Sequence, residues 1–452
     1  MKTIFISIFQ GVEVKNILRT GIVDNILKDS DTRVVLFTKN KDRVDYYEKE
    51  FNDLRLIYEV VEKIDSKGLD AFFSKIKFTL LKTPTTDLKR RLLFESDRNF
   101  FRYYFNSLIN TIIARPFFRK LARVIDYKFV RNDTYAKYFN KYKPDLVFLA
   151  HLFDETESYM LREAKKRKVK SIGFINSWDK ITARCSLRLL PDKFVVFNNI
   201  VKDELIKYNE VKGENILISG IPHYDQYFKG GVSSRYDFFK KININPKGKL
   251  IVYASAGRSQ SNSDLFMINL LSRFTKQGKF GKNVDLLVRF QPNDFIDKVE
   301  LAHIKGLSYD YPGIRFSSKR GVDWDMDFND LAHLKDTLHH MDVLISYTSS
   351  MCIDAAVFNK PIININFELD SSQPAHKLPT RYFIVDHYQK VMKTGAVSLV
   401  NNQEELISQI NHYLKNPETR AQERKNLVDA QCHYKDGNAA KRISDFILSE
   451  LN

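Results

Sequence analysis

Short β-branched runs alternate with amphipathic helical stretches along nearly the whole chain, and few folds accept that rhythm. TIFISI (3–8) is followed by Gly11 and a helical pattern near 14–28; RVVLF (33–37) comes next, and residues 55–61 read as a third strand. LVFLA (146–150), VKSIGFI (169–175), KFVVF (193–197) and NILISG (215–220) continue the series, with helices at 154–167 and near 199–209 between them. Short apolar runs bounded by turn signals and separated by helices predict an α/β fold, with parallel strands covered by helices. The rhythm pauses at 223–248, where Gly230-Gly231, Ser233-Ser234 and Pro246-Lys247-Gly248 mark a linker. It resumes with KLIVYAS (249–255), a helix near 262–276, VDLLVRF (284–290), a strand near 313–317, a helix at 331–340, DVLIS (342–346), a helix at 350–359, PIININF (361–367) and AVSLV (396–400), and two helices complete this second series. A chain of 452 residues is too long for one ordinary core. The expectation is therefore two doubly wound domains, at 1–228 and 245–436, with 437–452 as a final helix.

Composition narrows the partners. The formal net charge is +17, which favours nucleotides, nucleic acid or an anionic membrane face. The basic residues are dispersed and no nucleic-acid-binding signature accompanies them, which makes a nucleic-acid-binding protein the weaker reading. Cys185, Cys352 and Cys432 are far apart and form no CxxC pair, so neither a zinc site nor a disulfide framework is expected, and a reducing compartment is. The apolar start MKTIFISIF is too short for a leader and is stopped by Gln10-Gly11-Val12-Glu13, so it reads as a buried first strand. No run of about 18 apolar residues predicts a membrane-crossing helix. Residues 97–131 interrupt the first domain with Phe100, Phe101, Tyr103, Tyr104, Phe105 and Leu108 among many cations, and Pro116 should divide them into two helices. Either this segment lies on an anionic membrane, or it packs on the first sheet with its cations in water. Its apolar residues cover too many faces for one stripe, which favours burial.

In open α/β sheets ligands bind outside the carboxyl ends of strands, so strand-to-helix turns come first. Thr348, Ser349 and Ser350 open a helix after DVLIS, where free amides, hydroxyls and the helix dipole suit a phosphate; simple capping is the alternative. Gly257, Arg258 and Ser259 follow KLIVYAS, and Arg258 could grip a phosphate by two hydrogen bonds. Arg289 ends the next strand as a second cation. Glu368 follows PIININF and could hold sugar hydroxyls. In the first domain His151, Asp154 and Glu155 follow LVFLA, and Asp179 follows VKSIGFI; each is a candidate general base for an acceptor hydroxyl. Trp178 offers a ring face to a sugar, and His223 closes the last strand of that domain as a second acceptor contact. Asp323-Trp324-Asp325-Met326-Asp327 holds two D-x-D triplets of the kind that bind Mg²⁺, but it precedes the phosphate turn by many residues and reads better as a solvated acidic loop. No metal and no cofactor beyond a nucleotide-linked co-substrate are expected.

Four segments carry a family resemblance: SWDKITARCSLRLLPDKFVVFN (177–198), ENILISGIPHYDQY (214–227), DVLISYTSSMCIDAAVFNKPIININF (342–367) and QCHYKDGNAAKRISDFI (431–447). Together they resemble GT-B glycosyltransferases, and most closely bacterial surface-glycan transferases related to the CDP-glycerol glycerophosphotransferase superfamily. The resemblance implies two Rossmann-like domains facing across a cleft, with a final helix crossing back to the first. It implies a donor held mainly by the C-terminal domain, its phosphates on Thr348, Ser349 and Ser350, with Arg258 and Ser259 lining the same cleft. It implies an acceptor on the N-terminal domain. Two positions depart from the pattern: Gln291-Pro292 stands where many relatives carry His-Pro, and Lys180 where many carry Asn. The expected activity is metal-independent transfer of a sugar from a nucleotide sugar to a glycan or lipid-linked acceptor in surface polysaccharide synthesis. It would take place in the cytoplasm or at the inner face of the cell membrane. Transfer of a polyol phosphate from a CDP-linked donor is the alternative.

Overall fold

Seven of the expected apolar runs come together in one sheet. They are β1 (Lys2–Ser7), β2 (Thr32–Thr38), β3 (Leu56–Val60), β4 (Leu146–Leu149), β5 (Lys170–Phe174), β6 (Lys193–Val196) and β7 (Ile216–Ile218), in the order β3-β2-β1-β4-β5-β6-β7 with every pair parallel. The structure is a computed structural model and describes residues 1–62, 65–258, 260–294, 298–316 and 323–451. β1 is central and buried from Thr3 to Ser7, as a parallel strand covered on both faces must be. A cluster of aromatic residues from the first third of the chain lies in this core. Phe5 meets Phe37 edge-to-face at 4.8 Å and Phe139 at 5.1 Å, and Tyr135, Tyr138 and Tyr142 close around them.

The second series gives β8 (Lys249–Ala254), β9 (Val284–Arg289), β10 (Ser308–Asp310), β11 (Ile314–Arg315), β12 (Trp324–Asp325), β13 (Val343–Ser346), β14 (Ile362–Ile365) and β15 (Val397–Val400). Six of them form a second parallel sheet, β10-β9-β8-β13-β14-β15, while β11 and β12 pair antiparallel by themselves. In each sheet the strand order reverses beside the first strand, between β1 and β4 and between β8 and β13. The chain divides into two compact units. One holds Met1–Arg90, Asn99–Lys229 and the segment from Cys432 to the C-terminus; the other holds Arg91–Arg98 and Gly230–Gln431. The final helix, Ala439–Ser449, packs on helix Ile22–Leu27 of the first unit, and the Asp225 carboxylate caps it, accepting the Ala439 and Ala440 amides at 2.9 and 2.8 Å.

Several local expectations change. The helix read at 14–28 is two, Gly11–Ile17 and Ile22–Leu27, because Gly21 takes φ +78°, a left-handed conformation that ends the first turn sequence. The strand near 313–317 is the two-residue β11 of a hairpin, and the parallel edge strand is β10, which its sequence did not announce; residue 317 lies outside the described residues. The linker read at 223–248 is largely helical, with Asp225–Phe228 and Arg235–Lys241, the latter capped by the Ser234 hydroxyl on the Asp237 amide at 3.1 Å. A helix at Asp386–Met392, not expected, precedes β15.

Pro116 does separate two helices, Phe100–Ile113 and Pro116–Phe129. The favoured reading of their packing is overturned, since Phe101, Phe105, Leu108, Phe117 and Phe129 are exposed. The inward face of the second helix is its charged one. Arg119 and Asp126 are buried there, bonded to Glu210 and to Arg162 and Arg188 respectively. Among the described residues no helix is long and apolar enough to cross a membrane.

Candidate functional site

In the second unit the strand-order reversal sets two turns side by side. β8 and β13 pair with Ala254 opposite Ser346, so Ser255-Ala256-Gly257 and Tyr347-Thr348-Ser349-Ser350 leave the sheet together. Ser255 Oγ and Tyr347 OH, the next residues in line, are buried and have no hydrogen-bond partner among the described residues. Burial, with the charges of Glu368 and Asp264 adding to it, raises the Tyr347 phenol well above its ordinary value and keeps it a neutral donor. An unmet buried hydroxyl costs about 1–3 kcal/mol, so two at one strand end mark a place where a ligand oxygen is expected. Asn364 on β14 fixes the neighbouring backbone, donating to Ser346 O at 3.1 Å and Tyr347 O at 2.7 Å. The Ser349 hydroxyl accepts the Met351 amide at 3.3 Å where helix Met351–Val357 begins. The amides of Thr348 and Ser350 have no partner among the described residues.

The turn after β8 differs from expectation. Asp264 accepts the Ala256 amide at 2.9 Å, the Gly257 amide at 2.8 Å and the Tyr253 hydroxyl at 2.7 Å, and Asp294 accepts the Arg258 amide at 2.9 Å. Three successive amides are thus already occupied by carboxylates and are not offered to a phosphate. Gly257 has φ +80°, and a Cβ there would lie 3.1 Å from the Gln291 side chain. Gln291 in turn donates to Ala256 O at 2.7 Å, so it props this turn. The Arg258 guanidinium pairs with Glu300, and both line a cavity of about 250 Å³. Ser259 lies outside the described residues. Arg289 is not a cation at a ligand edge. It is buried and paired with Asp310 at 3.1 Å, and Asp310 also meets His333 at 3.0 Å. Glu368 is half-buried and tied to the Thr380 amide and hydroxyl at 3.1 and 2.8 Å, which leaves it less acceptor capacity than a free carboxylate. In the D-x-D stretch, Asp325 is buried on β12 and Asp327 caps helix Phe328–His340 through the Asp330 amide at 2.8 Å, so both have structural roles.

At the carboxyl end of β1, β4 and β5 the first unit gathers a buried polar cluster. Ser7 donates to Glu157, whose other oxygen accepts the His151 amide at 3.0 Å. Glu13 accepts the Gln10 amide at 3.1 Å at the start of helix Gly11–Ile17. Lys180 donates to Asn176, and Asn176 donates to Ala150 O at 2.6 Å. Glu13 Oε1 and His151 Nε2 are buried without a hydrogen-bond partner among the described residues. His151 Nδ1 accepts the Phe153 amide at 3.2 Å. Burial, and then the nearby Lys180 and Arg184, hold its pKa well below the ordinary value, so the ring is neutral with its proton on Nε2. That makes it a donor, not a base. Asp154 caps helix Glu155–Lys166 on the Thr156 amide at 2.9 Å and pairs with Lys39 at 3.1 Å; burial would raise its pKa, but Lys39 outweighs this and holds it low. Glu155 is held by Lys77 and Arg188. His223 bonds Asn16 at 2.8 Å and props helix Gly11–Ile17. Asp179 and Trp178 are half-buried beyond β5, with the Ser177 hydroxyl on the Asp179 carboxylate.

Sequence reasoning missed Glu13, Glu157, Ser255 and Tyr347, and noted Lys180 only as a departure. Glu13 stood three residues after Gln10 at a helix start, which is a capping signal. Nothing local marked the others.

The cluster sets a pH dependence. Burial pushes Glu13 up to about 8 and Glu157 up to about 7, and it lowers Lys180 to about 8. From the ordinary carboxylate value of 4.5 up to about 8, the unfolded chain has released a proton that native Glu13 keeps, so stability falls as pH rises. From about 8 to the ordinary lysine value of 10.5, the unfolded chain keeps a proton that native Lys180 has lost, so stability recovers. Calorimetry across this range should show the first unit's Tm passing through a minimum near pH 8, with Glu13→Gln flattening the falling limb. A wild-type Tm that rises through the falling window contradicts the assignment.

Comparison with known proteins bears on this geometry. A search of curated protein sequences matches no relative. Solved structures of similar fold include a putative UDP-N-acetylglucosamine 2-epimerase from Listeria monocytogenes (TM-score 0.55, 12% identity, 100% of this chain and 97% of that one). The UDP-GlcNAc 2-epimerase from Neisseria meningitidis bound to UDP-GlcNAc is similar too (0.53, 11%, 99% and 100%), as is a glycosyltransferase from Rickettsia africae (0.51, 13%, 99% and 98%). At such identities the likeness establishes the fold, that of the GT-B class. The family model described as CDP-Glycerol:Poly(glycerophosphate) glycerophosphotransferase matches residues 183–449, more than half of the chain. The match takes in the turn after β8 and the hydroxyl turn after β13, and begins four residues after Asp179. The chain belongs to the CDP-glycerol:poly(glycerophosphate) glycerophosphotransferase family and is a transferase that uses a nucleotide-linked donor in surface-glycan synthesis.

Proposed function

We propose that the chain transfers a sugar from a nucleotide-sugar donor to a glycan or lipid-linked acceptor, without a metal ion. The observation that carries the donor end is the pair of unmet buried hydroxyls, Ser255 and Tyr347, beside the open Thr348 and Ser350 amides. All are hydrogen-bond donors at a strand-order reversal, and a departing nucleotide phosphate is an array of anionic acceptors. The Neisseria meningitidis protein of similar fold is bound to UDP-GlcNAc, which favours a nucleoside diphosphate as the leaving group here too. The acceptor oxygen forms its bond to the anomeric carbon as the carbon–phosphate-oxygen bond breaks. The acceptor proton goes to Asp179, and the leaving nucleotide takes the negative charge.

Asp179 is the base on this reading, a half-buried carboxylate beside Trp178 just past β5. Asp154 and Glu155 are held by cations, and His151 presents a proton rather than a lone pair. Trp178 beside it offers an apolar face to a sugar ring. Charged donors do not cross a bilayer, so a lipid-linked acceptor is met at the inner face of the cell membrane, which places the protein in the cytoplasm or at the membrane's inner surface.

Titration calorimetry with UDP, CDP, GDP and CMP tests the donor site. One nucleotide should bind, and Tyr347→Phe should weaken it roughly ten- to 150-fold, the value of one hydrogen bond to a charged acceptor, about 1.5–3 kcal/mol. The same substitution should leave the ligand-free Tm unchanged or raise it, because it deletes an unmet hydroxyl. Binding equal to wild type in a Ser255→Ala, Tyr347→Phe double variant sinks the site, and turnover abolished by a chelator sinks the metal-free mechanism.

The family match favours a second reading, transfer of a polyol phosphate from a CDP-linked donor at the same site. By the family resemblance of the sequence, Gln291, a group without a titratable proton, stands at a histidine position, and this favours the sugar. Turnover of CDP-glycerol but of no nucleotide sugar decides for the second.

A further inference from the structure

A cavity of about 660 Å³ opens at the amino end of the first sheet, where β5 and β6 begin. In a parallel sheet the reacting groups gather at the carboxyl ends of the strands, and the polar cluster around Glu157 and Lys180 lies there. The cavity is therefore separate from that cluster. Its floor is apolar: Val169, Leu189 and Leu190 line it beside Val124 and Tyr127 of helix Pro116–Phe129. Leu189 is buried, and Val169 and Leu190 pack against the core of the unit, so this wall is fixed in place. Val124 and Tyr127 are exposed, so the cavity is open to solvent on their side. Phe101, Phe105 and Phe117 do not line it, which sets it apart from the exposed aromatic rings of the two helices.

The charged part of the lining is cationic, with Arg123, Lys165, Lys168 and Lys170 against Asp192 alone. Two of these charges are already committed. Arg123 pairs with Glu210 at 2.9 Å, and Asp192 accepts the Ser171 amide and hydroxyl at 2.9 and 2.7 Å. Lys165 lies 4.0 Å from Asp192, and Lys170 lies 3.2 Å from Glu450. Lys168 has no ion-pair partner among the described residues. Helix Glu155–Lys166 ends here with the negative pole of its dipole, but its last carbonyls already accept the amides of Arg167, Lys168 and Val169. The ammonium groups therefore set the sign of the site.

We propose that this cavity binds a small amphipathic anion, an apolar ring or short chain carrying one carboxylate, sulfonate or phosphate, with its body on Leu189, Leu190 and Tyr127 and its head on Lys168. Roughly 300–1,000 Å³ of apolar wall with a few convergent charges is the ordinary form of a small-molecule site. A bare anion would leave the apolar floor in water, and a neutral apolar molecule would leave Lys168 unpaired. Only a ligand that is both apolar and anionic satisfies the whole lining. The site is independent of the donor turns, so failure of either leaves the other standing.

Titration calorimetry of the full chain with octanoate, naphthalene-1-sulfonate, octanol and inorganic phosphate tests it. At least one of the two amphipathic anions should bind saturably at a single site, and the tighter of them tells whether the body is acyl or aromatic. Octanol and inorganic phosphate should bind at least about tenfold more weakly, and Lys168→Gln should cost the bound anion about the same, the value of one charged hydrogen bond. Val124→Asp sets a carboxylate in the cavity wall and should abolish binding; Val124 is exposed, so the melting curve should not move. Phe117→Ser, outside the cavity, should bind like wild type. The proposal is overturned if neither anion binds saturably, if octanol or inorganic phosphate binds as tightly, or if Val124→Asp and Lys168→Gln both bind like wild type. Loss of binding in Phe117→Ser overturns it too, by moving the site to the exposed rings. So does a wild-type dimer that Val124→Asp separates while neither anion binds, which gives the cavity to a second copy.

Discussion

Asp179→Asn should lower turnover by about 10²–10⁴-fold while donor binding stays near the wild-type value, because the change removes a proton acceptor and keeps the side chain's size and its bond from Ser177. The loss should fall on kcat, and the acidic limb of the pH–rate profile, which reports ionisation of the base, should disappear with it. Asp154→Asn and Glu155→Gln provide the contrast. Each breaks an ion pair, with Lys39 or with Lys77 and Arg188, so each should act on Tm before it acts on chemistry. If Asp179→Asn turns over within a few-fold of wild type, the base lies elsewhere. If Asp154→Asn loses activity with an unchanged Tm, the assignment passes to Asp154.

Arg188→Met should destabilise the first unit by about 3–5 kcal/mol, the usual effect of stripping one partner from a buried ion pair. Arg188 joins Asp126 at 2.8 Å, Asp70 at 2.8 Å and Glu155, and it is 2% exposed. Burial alone would lower its pKa, but the bonds from Asp126 and Glu155 outweigh this and raise it above the ordinary value. Without the guanidinium, Asp126 keeps Arg162 alone, and Asp70 keeps the Tyr159 hydroxyl at 2.6 Å. For a unit of this size, about 2–4 °C per kcal/mol implies a Tm drop of roughly 6–20 °C. A drop under about 2 °C would mean water replaces the guanidinium at little cost, contrary to the burial of Asp126. The network also explains the inside-out helix. It joins helix Gly68–Thr79, through Asp70 and Lys77, to helix Pro116–Phe129, through Asp126, and to helix Glu155–Lys166, through Glu155 and Arg162. With every charge on the inner face bonded, the apolar residues have only the outer face left.

The site was partly legible in the sequence. The hydroxyl turn 348–350 follows β13 directly, as strand-end reasoning put it, and the amides of Thr348 and Ser350 have no partner among the described residues. The turn at 256–258 looked equivalent, with a glycine, an arginine and a helix to follow. It differs because Asp264, seven residues past Gly257, folds back onto its amides. Arg289 ends a strand as expected, yet Asp310 on the next strand takes it out of play. Tyr347 and Ser255 carry no motif. They became candidates only once β8 and β13 were known to be neighbours and their hydroxyls were found unmet.

What the sequence determined by itself is that the chain builds two parallel sheets covered by helices. A strand buried on both faces must be apolar at successive positions, and that requirement is written into each segment independently of the others. The tertiary structure alone decided which strands stand together and what each charged group meets. β8 lies beside β13 although some ninety residues separate them, and that adjacency brings together the two turns proposed as the donor site. Arg119, Arg289 and Glu13 are buried and bonded, while Phe101 and Phe117 are not buried at all. The local pattern of a charged or aromatic residue is the same in water, in a buried ion pair or against a lipid surface. Only distant partners, brought close by folding, distinguish these fates.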